Sequence, residues 1–211
     1  MNLKIKKLNF NYDNFSIKDI NLSVESSDIL GITGLNGSGK TTLLKIIAGI
    51  LPSDGVFINE EPLSVKNRHV ISYMESDTFL YELLTFDEML YLVMSICSVN
   101  KGQSLAIDEI INILNLNKYR NTLIKELSLG TRQKLSFLLS IVDDPQILLL
   151  DEPFNGIDNE SIDLIVDILK GMVKEKKKII ILTSHNIELV NNLCNKQIVI
   201  EDGNIKQYIK Y

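Results

Sequence analysis

Thr33-Gly34-Leu35-Asn36-Gly37-Ser38-Gly39-Lys40-Thr41-Thr42 packs three glycines and one lysine between two apolar stretches. Gly34 to Thr41 fits the spacing G-x-x-x-x-G-K-[ST]. Glycines let backbone N–H groups turn inward around phosphate oxygens, and a helix starting just beyond adds the positive end of its dipole. Lys40 is then placed to reach the outer phosphates, and the Thr41 hydroxyl to ligate Mg²⁺. A glycine-rich turn that merely caps a helix is the plainer alternative. The short apolar strand at 28–33 and the helical spacing of Leu43, Leu44, Ile46, Ile47 and Ile50 favour the phosphate reading.

Two acids stand where that chemistry needs them. Ile147-Leu148-Leu149-Leu150 reads as a buried strand, and Asp151-Glu152 follow at its carboxyl end, where ligands of open α/β sheets sit. Asp151 suits a Mg²⁺ shell and Glu152 a general base that polarises water. His185 follows the apolar run Ile179 to Leu182 through Thr183-Ser184, again at a strand's carboxyl end. There an imidazole N–H can stabilise charge on a transferred phosphoryl group. The plainer alternatives are ordinary strand-end acids and a residue beside a helix cap.

The elements needed to hold these groups are legible around them. Leu8, Phe10 and Tyr12, then Ile20, Leu22 and Val24, alternate with polar residues as antiparallel strands do. Val56, Ile58 and Glu61-Pro62 suggest a small hairpin. Helical spacing predicts segments from Phe86 to Val99 and from Ile107 to Leu116, joined by the polar stretch 100–104. A further helix is expected through Ile162, Ile165, Ile168 and Leu169, and Asp202-Gly203 marks a terminal hairpin. The predicted class is α/β: a phosphate-loop ATPase core with a mainly parallel sheet, an N-terminal antiparallel β subdomain and an inserted helical subdomain. One domain over 1–211 is expected, with the helical insert at about 77–127.

Composition narrows the classes. Of 211 residues, 45% are hydrophobic and 23% charged, which excludes a disordered chain. A net charge of −5 argues against a broad nucleic-acid footprint. The longest apolar run, Met89 to Cys97, is broken by Ser95 and is far too short to cross a bilayer. No apolar stretch follows the lysines near Met1, so no secretory leader is predicted. Cys97 and Cys194 lack any metal-type spacing and are expected in the core, and the lysines of 174–178 at a solvated helix end.

Together these motifs resemble, over essentially the whole chain, the ATP-binding subunit of ABC transporters. Gly34 to Thr41 resembles its Walker A motif and Ile147 to Glu152 its Walker B motif with catalytic glutamate. Leu127-Ser128-Leu129-Gly130-Thr131 resembles the signature motif, Asn155-Gly156-Ile157-Asp158 the D-loop and His185 the switch histidine. The resemblance implies that Lys40, Glu152 and His185 are catalytic. It implies nucleotide contacts from Asn36, Gly37, Ser38, Gly39, Thr41 and Thr42, with Tyr12 stacked under the adenine. It adds Ser128, Gly130 and Asp158 across a dimer. Thr41, Asp151 and Ser76 are the implied Mg²⁺ residues, and ATP and Mg²⁺ the implied cofactors.

The chain departs from the family pattern in three motifs. Leu129 replaces a signature glycine, Asn155-Gly156 the commoner Ser-Ala, and Ser76 stands where glutamine is usual. The stretch around Ser76, with Phe79-Leu80-Tyr81 and Leu84-Thr85, resembles exporters of the ABC-2 kind. The resemblance implies a homodimer or heterodimer of nucleotide-binding subunits. It also implies a separate transmembrane permease, and a cytoplasmic location on the inner face of the membrane. Two other classes compete. A soluble ABC-type ATPase acting on DNA or ribosomes usually carries paired domains or a long coiled coil, and no heptad run is present. A kinase or GTPase of another phosphate-loop family lacks the signature motif, and no guanine-reading Asn-Lys-x-Asp occurs.

Overall fold

The computed structural model describes residues 1–12 and 15–211. Strands β1 (Asn2–Tyr12) and β2 (Phe15–Glu25) pair antiparallel, as their period-2 burial requires, and β4 (Val56–Ile58) and β5 (Glu61–Pro62) complete a four-stranded sheet in the order β2-β1-β4-β5. The second sheet contains β3 (Ile29–Thr33), β6 (Ile71–Met74), β7 (Ile147–Leu150), β8 (Ile179–Thr183), β9 (Lys196–Glu201) and β10 (Asn204–Lys210). Their order is β10-β9-β3-β8-β7-β6. Every pairing in it is parallel except β10 with β9.

β3, β7 and β8 are buried at every residue, so both faces of the sheet are covered. One face presents Leu30, Ile32, Leu149 and Ile181 to helix α1 (Lys40–Ile47) and to the antiparallel sheet. The opposite face presents Leu148, Leu150, Ile180 and Leu182 to α4 (Leu129–Ile141), α5 (Asn159–Lys176) and α6 (Ile187–Leu193). Between β6 and α4 the chain runs through α2 (Phe86–Ile96) and α3 (Lys101–Ile113), whose buried residues Phe86, Leu90 and Ile111 join that same core. At about 2 kcal/mol for each buried aliphatic side chain, these two layers hold the strand ends that form the site.

Some boundaries differ from the sequence reading. The polar stretch 100–104 is no linker. Asn100 accepts from Gln103 N and Gln103 caps Asn100 N in return, so the helix starts there and ends at Ile113. The α2 helix stops at Ile96, short of Val99. The lysine run is not wholly solvated, because Lys178 is buried and donates to the Asp144 carbonyl at 2.7 Å and faces its carboxylate at 3.2 Å. The terminal hairpin turns through Asp202 and Gly203, both at positive φ as a type I′ turn requires.

Candidate functional site

The phosphate loop is set by two glycines that no other residue could replace without moving its neighbours. Gly34 has φ +152°, and a Cβ there would lie 2.2 Å from the Ile200 carbonyl oxygen. Gly39 has φ +110°, and its Cβ would meet the Phe15 ring at 2.5 Å. The loop is thus pinned between β9 and the start of β2, and α1 begins at Lys40. Lys40 donates to the carbonyls of Gly34 at 2.9 Å and Leu35 at 3.1 Å. Burial lowers the pKa of its ammonium, and Glu152 and Asp151 oppose that shift. Among the described residues the Ser38 hydroxyl oxygen is buried without a hydrogen-bond partner, an unspent polar group inside the loop.

β7 and β8 place the acids. One oxygen of Asp151 accepts from Thr41 Oγ1 and the other from Thr183 Oγ1, both at 2.7 Å. Glu152 has φ +49°, a left-handed conformation that costs a residue with a Cβ about 1–2 kcal/mol. Its N–H is held by Thr183 Oγ1 at 2.8 Å. Its carboxylate Oε1 lies 3.0 Å from His185 Nε2, with the ring half exposed and the carboxylate largely covered. Burial raises the Glu152 pKa above the ordinary 4.5, against the opposing pull of His185 and Lys40.

A cleft of about 720 Å³ opens over these groups. It is lined by the loop residues Asn36, Gly37, Gly39, Lys40, Thr41 and Thr42 and by Ser76, Asp151, Glu152, His185 and the exposed Tyr12. Hard oxygen donors at Thr41 and Asp151, with Ser76 on the same cleft, suit Mg²⁺.

The comparisons decide the family. The family model described as ABC transporter matches residues 17–155, more than half of the chain. An uncharacterised ABC transporter ATP-binding protein of Methanocaldococcus jannaschii is 33% identical over 195 residues, covering 92% of this chain and 71% of that protein. The ABC transporter ATP-binding protein NatA of Bacillus subtilis is 31% identical over 198 residues, covering 90% and 80%. This chain belongs to the ABC transporter ATP-binding family. Solved structures agree in fold. An ATP-binding subunit of an ABC transporter superposes with a TM-score of 0.90 at 24% identity, covering 100% of this chain and 90% of that one. A dimeric ABC cassette, MJ0796, bound to ADP and Pi gives 0.85 at 22%, covering 99% and 98%. The chain is therefore an ATP-binding, ATP-hydrolysing subunit of the ABC type.

Not every residue expected from the ABC pattern lies on the cleft. Ser128 and Gly130 open α4 instead. Ser128 is its N-cap, accepting from Thr131 N at 3.2 Å. Asp158 caps α5 and accepts from Ser161 N at 2.9 Å. Ser38 belongs to the loop but is not among the residues lining the cleft, and its carbonyl accepts from Gly203 N at 3.0 Å. One cleft residue escaped the sequence reading: Phe15, packed on Gly39, was signalled only by an aromatic three residues beyond Tyr12. Asn155, read from the sequence only as part of the D-loop-like stretch, also lines the cleft.

Proposed function

We propose that this subunit hydrolyses Mg²⁺-bound ATP between two nucleotide-binding subunits to drive export through a separate membrane permease. In this reading residues 1–211 act as one nucleotide-binding unit with the helical insert at about 77–127. The observation that carries it is the cluster in which Thr41 and Thr183 hold Asp151, Thr183 also holds Glu152, and Glu152 faces His185.

Each group has a chemical part in that reaction. Mg²⁺, held by Thr41 and Asp151 with Ser76 beside them, would supply charge neutralisation for the phosphates. Lys40 leaves the Gly34 and Leu35 carbonyls to clamp the outer phosphates. Glu152 takes the proton of the water whose oxygen bonds to the γ-phosphorus as the bond to the leaving ADP breaks, and His185 donates to the transferred phosphoryl group. Tyr12 offers its ring to the adenine from the rim. Ser128 and Gly130 are not among the residues that line the cleft of their own chain, which supports a site completed by a second copy or a related subunit. The 13-residue helix behind them presents a positive end to an anion.

Export is favoured over import by the resemblance of the stretch after Ser76 to exporters of the ABC-2 kind, with the permease in the membrane and this subunit on its cytoplasmic face. Among the described residues no helix is long and apolar enough to cross a membrane. Turnover of Glu152→Gln is the test. A positioned base predicts a loss of about 10²-fold or more in kcat with nucleotide affinity retained, and sedimentation of the variant as a dimer at saturating ATP. Wild-type turnover would remove Glu152 from this role.

A further inference from the structure

Gln133 lies one turn into α4, is buried, and points its amide at the main chain of Glu152: Nε2 donates to the Glu152 carbonyl at 3.2 Å. That carbonyl also accepts from Asn155 N at 3.3 Å, and the Glu152 N–H is held by Thr183. The left-handed Glu152 backbone is thus fixed on both sides, from β8 and from α4.

The same helix grips the segment that follows. A Cβ on Gly130 would lie 2.5 Å from the Gly156 carbonyl oxygen, and one on Gly156 would lie 2.9 Å from Leu129 Cδ2. The large Leu129 therefore packs where Gly156 leaves room. Farther along, Lys134 donates to Ser161 Oγ at 3.1 Å. The first turns of α4 and the chain from Glu152 to Ser161 are fastened at three separate points.

We propose that Gln133 is a positioning residue for the hydrolysis, holding the Glu152 backbone so that its carboxylate stays aimed into the cleft and moves with the helix that carries Ser128 and Gly130. This rests on Glu152 being the base. Gln133 touches no substrate. It acts through the main chain of Glu152, and through it any shift of α4 reaches the carboxylate. Leu129 and Gly156, both departures from the family pattern, tighten the same contact by complementary size.

Gln133→Leu and Gln133→Glu test it, since neither offers an amide donor at near-constant volume. The measurements are kcat, KM for Mg²⁺-ATP and binding of a fluorescent ADP analogue, in the wild-type and Glu152→Gln backgrounds. The expected result is a fall in kcat of about tenfold, the scale of one lost hydrogen bond, with ADP-analogue binding within about twofold of wild type. In the Glu152→Gln background the same changes leave residual turnover within about twofold, because the group they position is already gone. Wild-type kcat in both variants overturns the proposal, as does loss of nucleotide affinity in step with kcat or an equal loss in both backgrounds. Wild-type turnover of Glu152→Gln by itself overturns the assignment of Glu152, and the role of Gln133 with it.

Discussion

At the residue scale the site is a set of opposed charges, partly buried, around an open cleft. Glu152 is the informative one, because burial pushes its pKa up while His185 and Lys40 pull it down. A base works only when ionised, so kcat should fall on acidification at a pH above the ordinary glutamate range, and a kcat–pH profile locates that limb. Linkage supplies a second reading with a definite sign. A carboxyl whose folded pKa is raised contributes stability below its unfolded value of 4.5, and loses that contribution as pH rises through the folded value. At neutral pH the ionised group therefore costs stability. Glu152→Gln should melt no lower than wild type at pH 7, and the difference should shrink near pH 4. A clear drop in its melting temperature at pH 7 would contradict the sign of this shift. The motif residues themselves were legible because phosphate chemistry dictates residue type and spacing. Phe15 was not, since an aromatic at a strand start has no spacing rule, and only the fold brings it onto Gly39.

At the element scale, continuous apolar runs gave away β7 and β8, because a strand covered on both faces leaves no polar position. The start of α3 was hidden for the opposite reason. Asn100 and Gln103 are polar because they cap a helix, and polarity alone reads as a linker. Lys178 shows the same limit, as its burial depends on Asp144, a partner brought close only by the fold. A comparable pair ties the β2–β3 turn to the start of β9. Lys196 Nζ lies 2.6 Å from Asp28 Oδ2, and Asn195 Nδ2 donates to Asp28 Oδ1 at 2.9 Å. Burial alone would raise the Asp28 pKa, but Lys196 and the other donors outweigh it and the net shift is downward. Its contribution is thus full above the unfolded value of 3.8 and is lost as pH falls through the folded one. Asp28→Asn leaves Lys196 buried without its counter-charge, and a loss of about 3 kcal/mol is expected in urea unfolding at pH 7. The gap from wild type should close on acidification below pH 4. A loss under about 0.5 kcal/mol would mean that solvent already screens the pair.

At the scale of the whole molecule, the proposed coupling to a permease needs a docking surface, and the surface next to the cleft is the candidate. Ser76 lines the nucleotide cleft and also a second groove of about 310 Å³ with Thr78, Phe79, Leu80, Leu129, Arg132 and Gln133. A permease segment seated there would touch both Ser76, on the nucleotide cleft, and the helix whose Gln133 bonds the Glu152 carbonyl. The apolar stretch after Ser76 divides between core and surface. Leu80 is buried and Leu84 packs on the core, while Phe79 is 73% exposed and Leu83 76%. Phe79 and Tyr81 stack edge to face with ring centroids 5.1 Å apart, a rigid apolar knob facing outward. Exposed large apolar groups clustered on one loop mark a contact surface, and truncating them removes little from the core. Phe79→Ala and Tyr81→Ala should therefore melt within about 2 °C of wild type, as surface changes do. They should also keep basal ATPase activity while losing co-purification with the permease and ATP-driven transport. Transport at the wild-type level in the double variant would place the docking face elsewhere, and loss of basal ATPase would mean that the knob serves the nucleotide site instead.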